Sequence, residues 1–214
     1  AGNCELYISH DGGATFSSTN DCRFNGITGF TVVNGTIYAG GTSGFLTSLD
    51  GGLTFTTKTA ANGLGATYVN SVFISGNTFY LATQGGLSIS TDGGKTFSNR
   101  TTANGLRNNN ITAVYATGGL LFAGTSGNLL AVSTDGGINF KDASPWIAGA
   151  LTISGSGSQV YVGTSNGLYI SNDGGQTFTY KDGGNGLGDQ AISVISVLGS
   201  SVYFGSEGGL NRFK

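Results

Sequence analysis

The chain has 214 residues, enough for one well-packed domain, yet only 9% of them are charged and the formal net charge is −2, against about a quarter charged in ordinary soluble domains. So weak a field excludes steering of nucleic acid or anionic lipid, and no run of residues is apolar enough for membrane insertion. Forty glycines, one proline and one histidine suit short strands joined by tight turns, and leave too few ligands for a zinc site.

From the N-terminus, Ala-Gly-Asn-Cys without a methionine anywhere is expected of signal-peptide removal or trimming, and hence of a secreted, periplasmic or cell-surface location. Cys4 and Cys22 flank the first repeat. A strand over 5–9, a turn and a strand over 15–18 bring them into disulfide range, and a bridge is expected in an oxidising compartment; two free thiols in mass spectrometry under non-reducing conditions would refute it.

Residues 9–16 read SHDGGATF, and the pattern S-x-D-G-G-x-T-F recurs at 48–55, 90–97, 133–140 (with Asn139 in the Thr place) and 171–178. The five aspartates, Asp11, Asp50, Asp92, Asp135 and Asp173, fall at intervals of 38 to 43 residues, a period that means a solenoid or a propeller. A short Asp side chain accepts backbone N–H bonds two residues on, while two glycines supply positive φ. The Ser before and the Thr after add hydroxyl bonds, and the following Phe16, Phe55, Phe97, Phe140 and Phe178 start and anchor an outer strand. The aspartates are therefore turn locks rather than catalytic acids.

The middle unit shows the order within a repeat. Strands are predicted over 69–74, 78–82, 87–90 and 96–100, each punctuated by Gly, Asn or Asp and none with helical periodicity. Second strands at 36–40, 78–82, 120–124, 159–163 and 201–205 share an aromatic-then-small pattern. Four short strands per unit, five times over, predict an all-β fold: a five-bladed β-propeller of four-stranded antiparallel blades, closed by N- and C-terminal strands, in one domain over 1–214. Third strands occur six times and the others five, because one (5–9) opens the chain and one (210–213) ends it. Closure within one molecule is expected, with donation of a terminal strand to a neighbouring molecule as the alternative.

The S-x-D-G-G-x-T-F copies resemble the Asp-box, or BNR repeat, of sialidases, other glycosidases, sortilin-like receptors and photosystem assembly factors, and loops rich in Ala-Asn-Gly-Leu (61–64, 103–106, 184–187) are similar to a secreted bacterial variety. The resemblance implies that ligands meet the end carrying the loops from fourth to first strand and from second to third, away from the boxes.

On that face the candidate ligand-binding residues are Arg23, Arg107, Trp146, Asp189 and Glu207. Trp146 is placed to stack on a sugar or anchor an interface, or to plug a blade junction. A glycosidase needs two carboxylates about 5 to 10 Å apart. Asp189 and Glu207 are the one pair the loops could bring together, and solvated loop charge is the plainer reading. A sialidase would need three gathered arginines, and His10, inside the first box turn, is no general base. The expectation is a non-catalytic secreted or cell-surface module, without cofactor or metal, that contacts carbohydrate, protein or copies of itself; the alternative is a small glycoside hydrolase or lyase.

Overall fold

The computed structural model describes residues 6–18, 22–24, 26–127, 129–143, 147, 149–185, 187, 191–199, 201–206 and 209–213. After a two-stranded hairpin, β1 (Tyr7–Ile8) and β2 (Ser17–Ser18), five antiparallel sheets follow in chain order as the blades of a five-bladed β-propeller. Blade 1 holds β3 (Ile27–Val33), β4 (Thr36–Gly41), β5 (Gly44–Ser48) and β6 (Thr56–Lys58); blade 2 holds β7 (Val69–Ser75), β8 (Thr78–Thr83), β9 (Gly86–Ser90) and β10 (Ser98–Arg100). Blade 3 is β11 (Ile111–Thr117), β12 (Leu120–Thr125), β13 (Leu130–Ser133) and β14 (Lys141–Asp142); blade 4 is β15 (Ala150–Ser156), β16 (Gln159–Thr164), β17 (Gly167–Ser171) and β18 (Thr179–Lys181). Blade 5 has three described strands, β19 (Ile192–Leu198), β20 (Ser201–Ser206) and β21 (Gly209–Phe213), so the C-terminal strand lies inside the last blade, beside β20. The hairpin β1–β2 forms a sheet of its own, with Tyr7 opposite Ser18.

The core lies between blades rather than at a centre. β3 packs on β7, β7 on β11, β11 on β15 and β15 on β19. One buried cluster joins Phe45 of blade 1 to Val69, Phe79 and Leu81 of blade 2; another joins Leu87 and Ile89 to Ile111, Val114 and Leu121. A third holds Phe122 and Leu130 against Ile153 and Val162, and a fourth holds Tyr161 and Leu168 against Ile192 and Ile195. Both faces of an inner sheet are thus apolar, which is why β9 and β13 are buried along their whole length.

Every inner strand carries a one-residue bulge near its start, at Thr28, Asn70, Thr112, Leu151 and Ser193. The bulge re-aims that side chain, and at three junctions it donates to the next blade. Thr28 Oγ1 reaches Val69 O at 2.5 Å, Asn70 Nδ2 reaches Ile111 O at 2.6 Å, and Thr112 Oγ1 reaches Ala150 O at 2.7 Å. Leu151 breaks the series because it has no donor, and its exposed side chain gives little in return. Replacing Leu151 with Thr is expected to raise stability by about 0.5–1.5 kcal/mol, the net worth of one hydrogen bond, read as a higher urea midpoint at unchanged slope.

Box aromatics are expected to anchor outer strands, and Phe55 and Phe140 are buried; Phe16, however, is exposed, on a hairpin whose sheet has two strands among the described residues. Cys4 lies outside the described residues, and of Cys22 only the backbone, in a single 3-10 turn, is described.

Candidate functional site

Strand order alone gives the propeller two chemically different ends. With β-strands antiparallel and sequential, the turns from first to second strand and the boxes fall at one end, and the turns from second to third strand and the long loops fall at the other. Backbone bonds tie each end together. Gly93 N donates to Asn77 O and Gly174 N to Ser158 O at the box end; Gln84 N donates to Tyr68 O and Ser126 N to Asn110 O at the loop end.

At the box end one geometry repeats. In blade 2, Ser90 Oγ donates to Asp92 Oδ1 at 2.7 Å and accepts from Gly94 N at 2.9 Å; Asp92 accepts from Lys95 N and Thr96 N at 3.0 Å and from Thr96 Oγ1 at 2.6 Å. The bonds to the Ser hydroxyl, to the amide four residues on and to the Thr hydroxyl recur at Asp11, Asp50 and Asp173; the amide three residues on is bound again at Asp135 and Asp173, and at Asp135 the Asn139 side-chain amide replaces the Thr hydroxyl at 2.9 Å. The carboxylate therefore grips the amide four residues on, and at three boxes also the one three residues on, rather than the amide two residues on. The Ser hydroxyl takes the intervening glycine, which needs φ +83 at Gly94.

These donors favour the ionised form. The Thr15 hydroxyl, with the Thr15 backbone and Ser9 bonds, pulls Asp11 down to about 2; at Asp135 the Asn139 backbone N–H, then the Ser133 hydroxyl and the Asn139 side chain, do the same, also to about 2. The hydroxyls of Thr54, Thr96 and Thr177 hold Asp50, Asp92 and Asp173 well below the ordinary carboxylate range. A folded-state value below the unfolded one of about 3.9 gives stability that is complete above that pH and is lost as pH falls through the folded value. Thermal melts are thus expected to be flat from neutral pH to about 5 and to fall steadily between about 4 and 2; a decline beginning near 6 would point to other groups.

The loop end is built from short, self-satisfied pieces. Asn62 Oδ1 accepts from Thr59 N and Asn104 Oδ1 from Thr101 N, both at 3.1 Å, and Gly63 and Gly105 then turn the chain at φ +95 and +90. Leu64, Leu106 and Leu187, closing each Asn-Gly-Leu, are buried. The motif is therefore a loop staple whose leucine enters the core, a role that the repeated Leu after each Asn-Gly could have signalled. The turns from second to third strand are closed by Thr83 Oγ1 to Gly86 O and Thr164 Oγ1 to Gly167 O.

Among the predicted site residues, Arg23 Nη1 donates to Phe55 O at 2.9 Å and to Thr57 Oγ1 at 3.1 Å, against the outer strand of blade 1. Arg107 grips Asp142 of β14 with Nε 3.0 Å from Oδ1 and Nη2 2.5 Å from Oδ2, raising its own pKa and lowering that of Asp142. Trp146, Asp189 and Glu207 lie outside the described residues.

Among the described residues, clefts include two between blades and one against the outer side of blade 1. One of about 230 Å³ sits at the box end between Thr78, Tyr80 and Leu120; one of about 330 Å³ lies among Val132, Lys141, Asp142 and Gln176. The third, about 360 Å³ and wholly apolar, is lined by Leu6, Phe24, Ile27, Phe30, Ile37, Ala39 and Phe55. Neither Arg23 nor Arg107 lines any of them. Among the described residues no three His, Cys, Asp or Glu are grouped to hold a metal, and no helix is long and apolar enough to cross a membrane.

No family model and no curated protein matches the sequence. The fold does match solved structures. The chain is similar to the extracellular domain of the BT4673 one-component system of B. thetaiotaomicron (TM-score 0.71, 16% identity, 94% of this chain and 28% of that one). It is also similar to the extracellular domain of the hybrid two-component system BT3049 of the same organism (0.69, 19%, 97% and 28%). The Niastella koreensis GH74 enzyme gives 0.67 at 20% identity over 86% of this chain and 33% of that one. The chain thus spans about a third or less of each of these proteins. At such identities the likeness is one of fold: the chain is a β-propeller similar to those of extracellular domains.

Proposed function

We propose that the chain is a single-domain, non-catalytic binding or assembly module of the Asp-box type, secreted or at the cell surface, whose loop end contacts a protein or a glycan. The observation that carries this reading is the fate of the acidic groups: all five box aspartates are spent on turn bonds at the opposite end, and Asp142 is spent on Arg107. A hydrolase needs a carboxyl group held neutral beside an ionised one, whereas these carboxylates are all pushed down. The likeness to extracellular domains supports the location. In this reading the exposed Arg107–Asp142 pair, together with Arg23, Trp146, Asp189 and Glu207, supplies the contact surface.

The likeness to a GH74 enzyme favours one second reading, a glycoside hydrolase using Asp189 and Glu207. A glycan array, paired with an assay for reducing ends released from the same polysaccharides, separates the two. Binding weakened by Trp146→Ala or Arg107→Ala, without release, is the expected result. Release abolished by Asp189→Asn or Glu207→Gln would establish the enzyme.

A further inference from the structure

Four internal junctions define what a blade needs from its neighbours. The fourth residue of an inner strand is covered by the blade before it: Val114, Ile153 and Ile195 are 3%, 8% and 7% exposed. Phe30, in the same place in blade 1, is 55% exposed, and Val32 beside it 54%. The third residue faces the blade after it. Ala113 is 2% exposed, but Val194 of blade 5 is 55%.

The second strands carry the same message. A Cβ on Gly40 would come within 2.7 Å of Val69 in the next blade, one on Gly124 within 2.9 Å of Ala150, and one on Gly163 within 2.7 Å of Ile192 O. Each glycine is the socket for the first residue of the following blade. Among the described residues, a Cβ on Gly205 would meet Val194 of its own blade and none of blade 1. The Ser193 hydroxyl, at the bulge position that bonds the next blade at three junctions, bonds Gly205 O of its own blade, as Thr28 bonds Gly40 O in addition to Val69 O of the next blade. Blade 5 thus carries a complete socket whose natural filler, by position in the repeat, is Ile27.

The other half of the joint is the apolar cleft. Ile8 meets Gly52 as Ile89 meets Gly137, so β1 stands where the third strand of a blade preceding blade 1 belongs. The space for that blade's first two strands is the cleft lined by Phe24, Ile27, Phe30 and Ala39. Terminal repeats of a stacked array normally present a polar outer face; here the blade 1 face is lined by apolar residues and blade 5 leaves Val194 exposed.

We propose that these faces join two copies of the chain head to tail, β19 and β20 of one filling the cleft of the next. The occupant is a second copy because the complementary face exists in this chain, and because its own blade 5 leaves Phe30 and Val194 exposed together. Since β21 and β1 claim the same third-strand place, one of them gives way on docking. The interface is heterologous, so it closes into a ring or extends.

Light scattering with size separation is the test, using the whole chain. The expected result is at least twice the chain mass, with Phe30→Asp and Val194→Asp each weakening association about thirtyfold or more, as a buried unpaired charge should. Because each variant keeps one intact face, mixing the two is expected to restore a one-to-one dimer. Removing 209–214 should leave association intact. Oxidation of an Ile27→Cys, Gly205→Cys variant, with the linked peptides mapped by mass, is expected to join two chains. A monomer at every concentration, a mixture that fails to pair, or a 27–205 link within a single chain would overturn the proposal, the last by showing closure on itself.

Discussion

Replacing Gly105 with Ala is expected to cost about 3–5 kcal/mol, whereas the same change at Gly63 costs about 1–2, although the two glycines occupy equivalent turns. Their backbone strain is matched, with φ of +90 and +95. Their surroundings are not. Around Gly63 a Cβ meets nothing within 4 Å; at Gly105 it would lie 2.1 Å from the Phe140 carbonyl oxygen, a backbone atom that cannot swing aside. Relief requires moving the loop off the strand it is bonded to, through Phe140 N to Asn104 O at 2.8 Å, and a broken buried backbone bond adds about 1–3 kcal/mol to the strain. Urea unfolding of the two variants side by side isolates the clash. Equal losses would mean that the Thr101–Gly105 loop does not sit on blade 3 as described.

Phe122→Ala is expected to remove about 3–5 kcal/mol, the usual cost of deleting a fully buried ring. That is at least about a fifth of the 5–15 kcal/mol that holds a typical domain together. The ring is fully buried on β12 in the cluster shared by blades 3 and 4, and it lies against Gly175 of the following box, where a Cβ would be 2.3 Å from its edge. Because each blade contacts only its neighbours, the loss is expected to open the junction between blades 3 and 4. Hydrogen exchange should speed up in β12 and β16 before it does in β4. A loss below about 1.5 kcal/mol, the scale of a volume-conserving change, would contradict a close-packed junction.

The repeat made the architecture legible: five boxes in register locate every outer turn, and strand alternation between them locates the rest. Less was legible at the loop end. Nothing in the local pattern shows that Asn62 and Asn104 are spent on capping Thr59 and Thr101. Arg107 reads as a free cation until folding sets it beside Asp142, thirty-five residues away. Partnerships of this kind depend on which blade faces which loop, and local pattern carries no record of them. The bulge residues were equally silent, since Thr28, Asn70 and Thr112 look like ordinary strand positions, and only the register shift shows that they bridge to the next blade. Strand counting did foresee the surplus third strand, and the geometry at Gly52 and Gly205 shows why it matters.

The central claim is that the repeated aspartates hold turns and take no part in chemistry. Site-resolved carbon NMR of aspartate carboxyl groups, followed from pH 7 to 1.5, tests it most directly. The account predicts that Asp11 and Asp135 titrate near 2, with Asp50, Asp92 and Asp173 also far below the unperturbed value of about 3.9. A box aspartate that titrates at or above that value would contradict it, because a raised carboxyl group in a repeated turn is the mark of a general acid rather than of a lock.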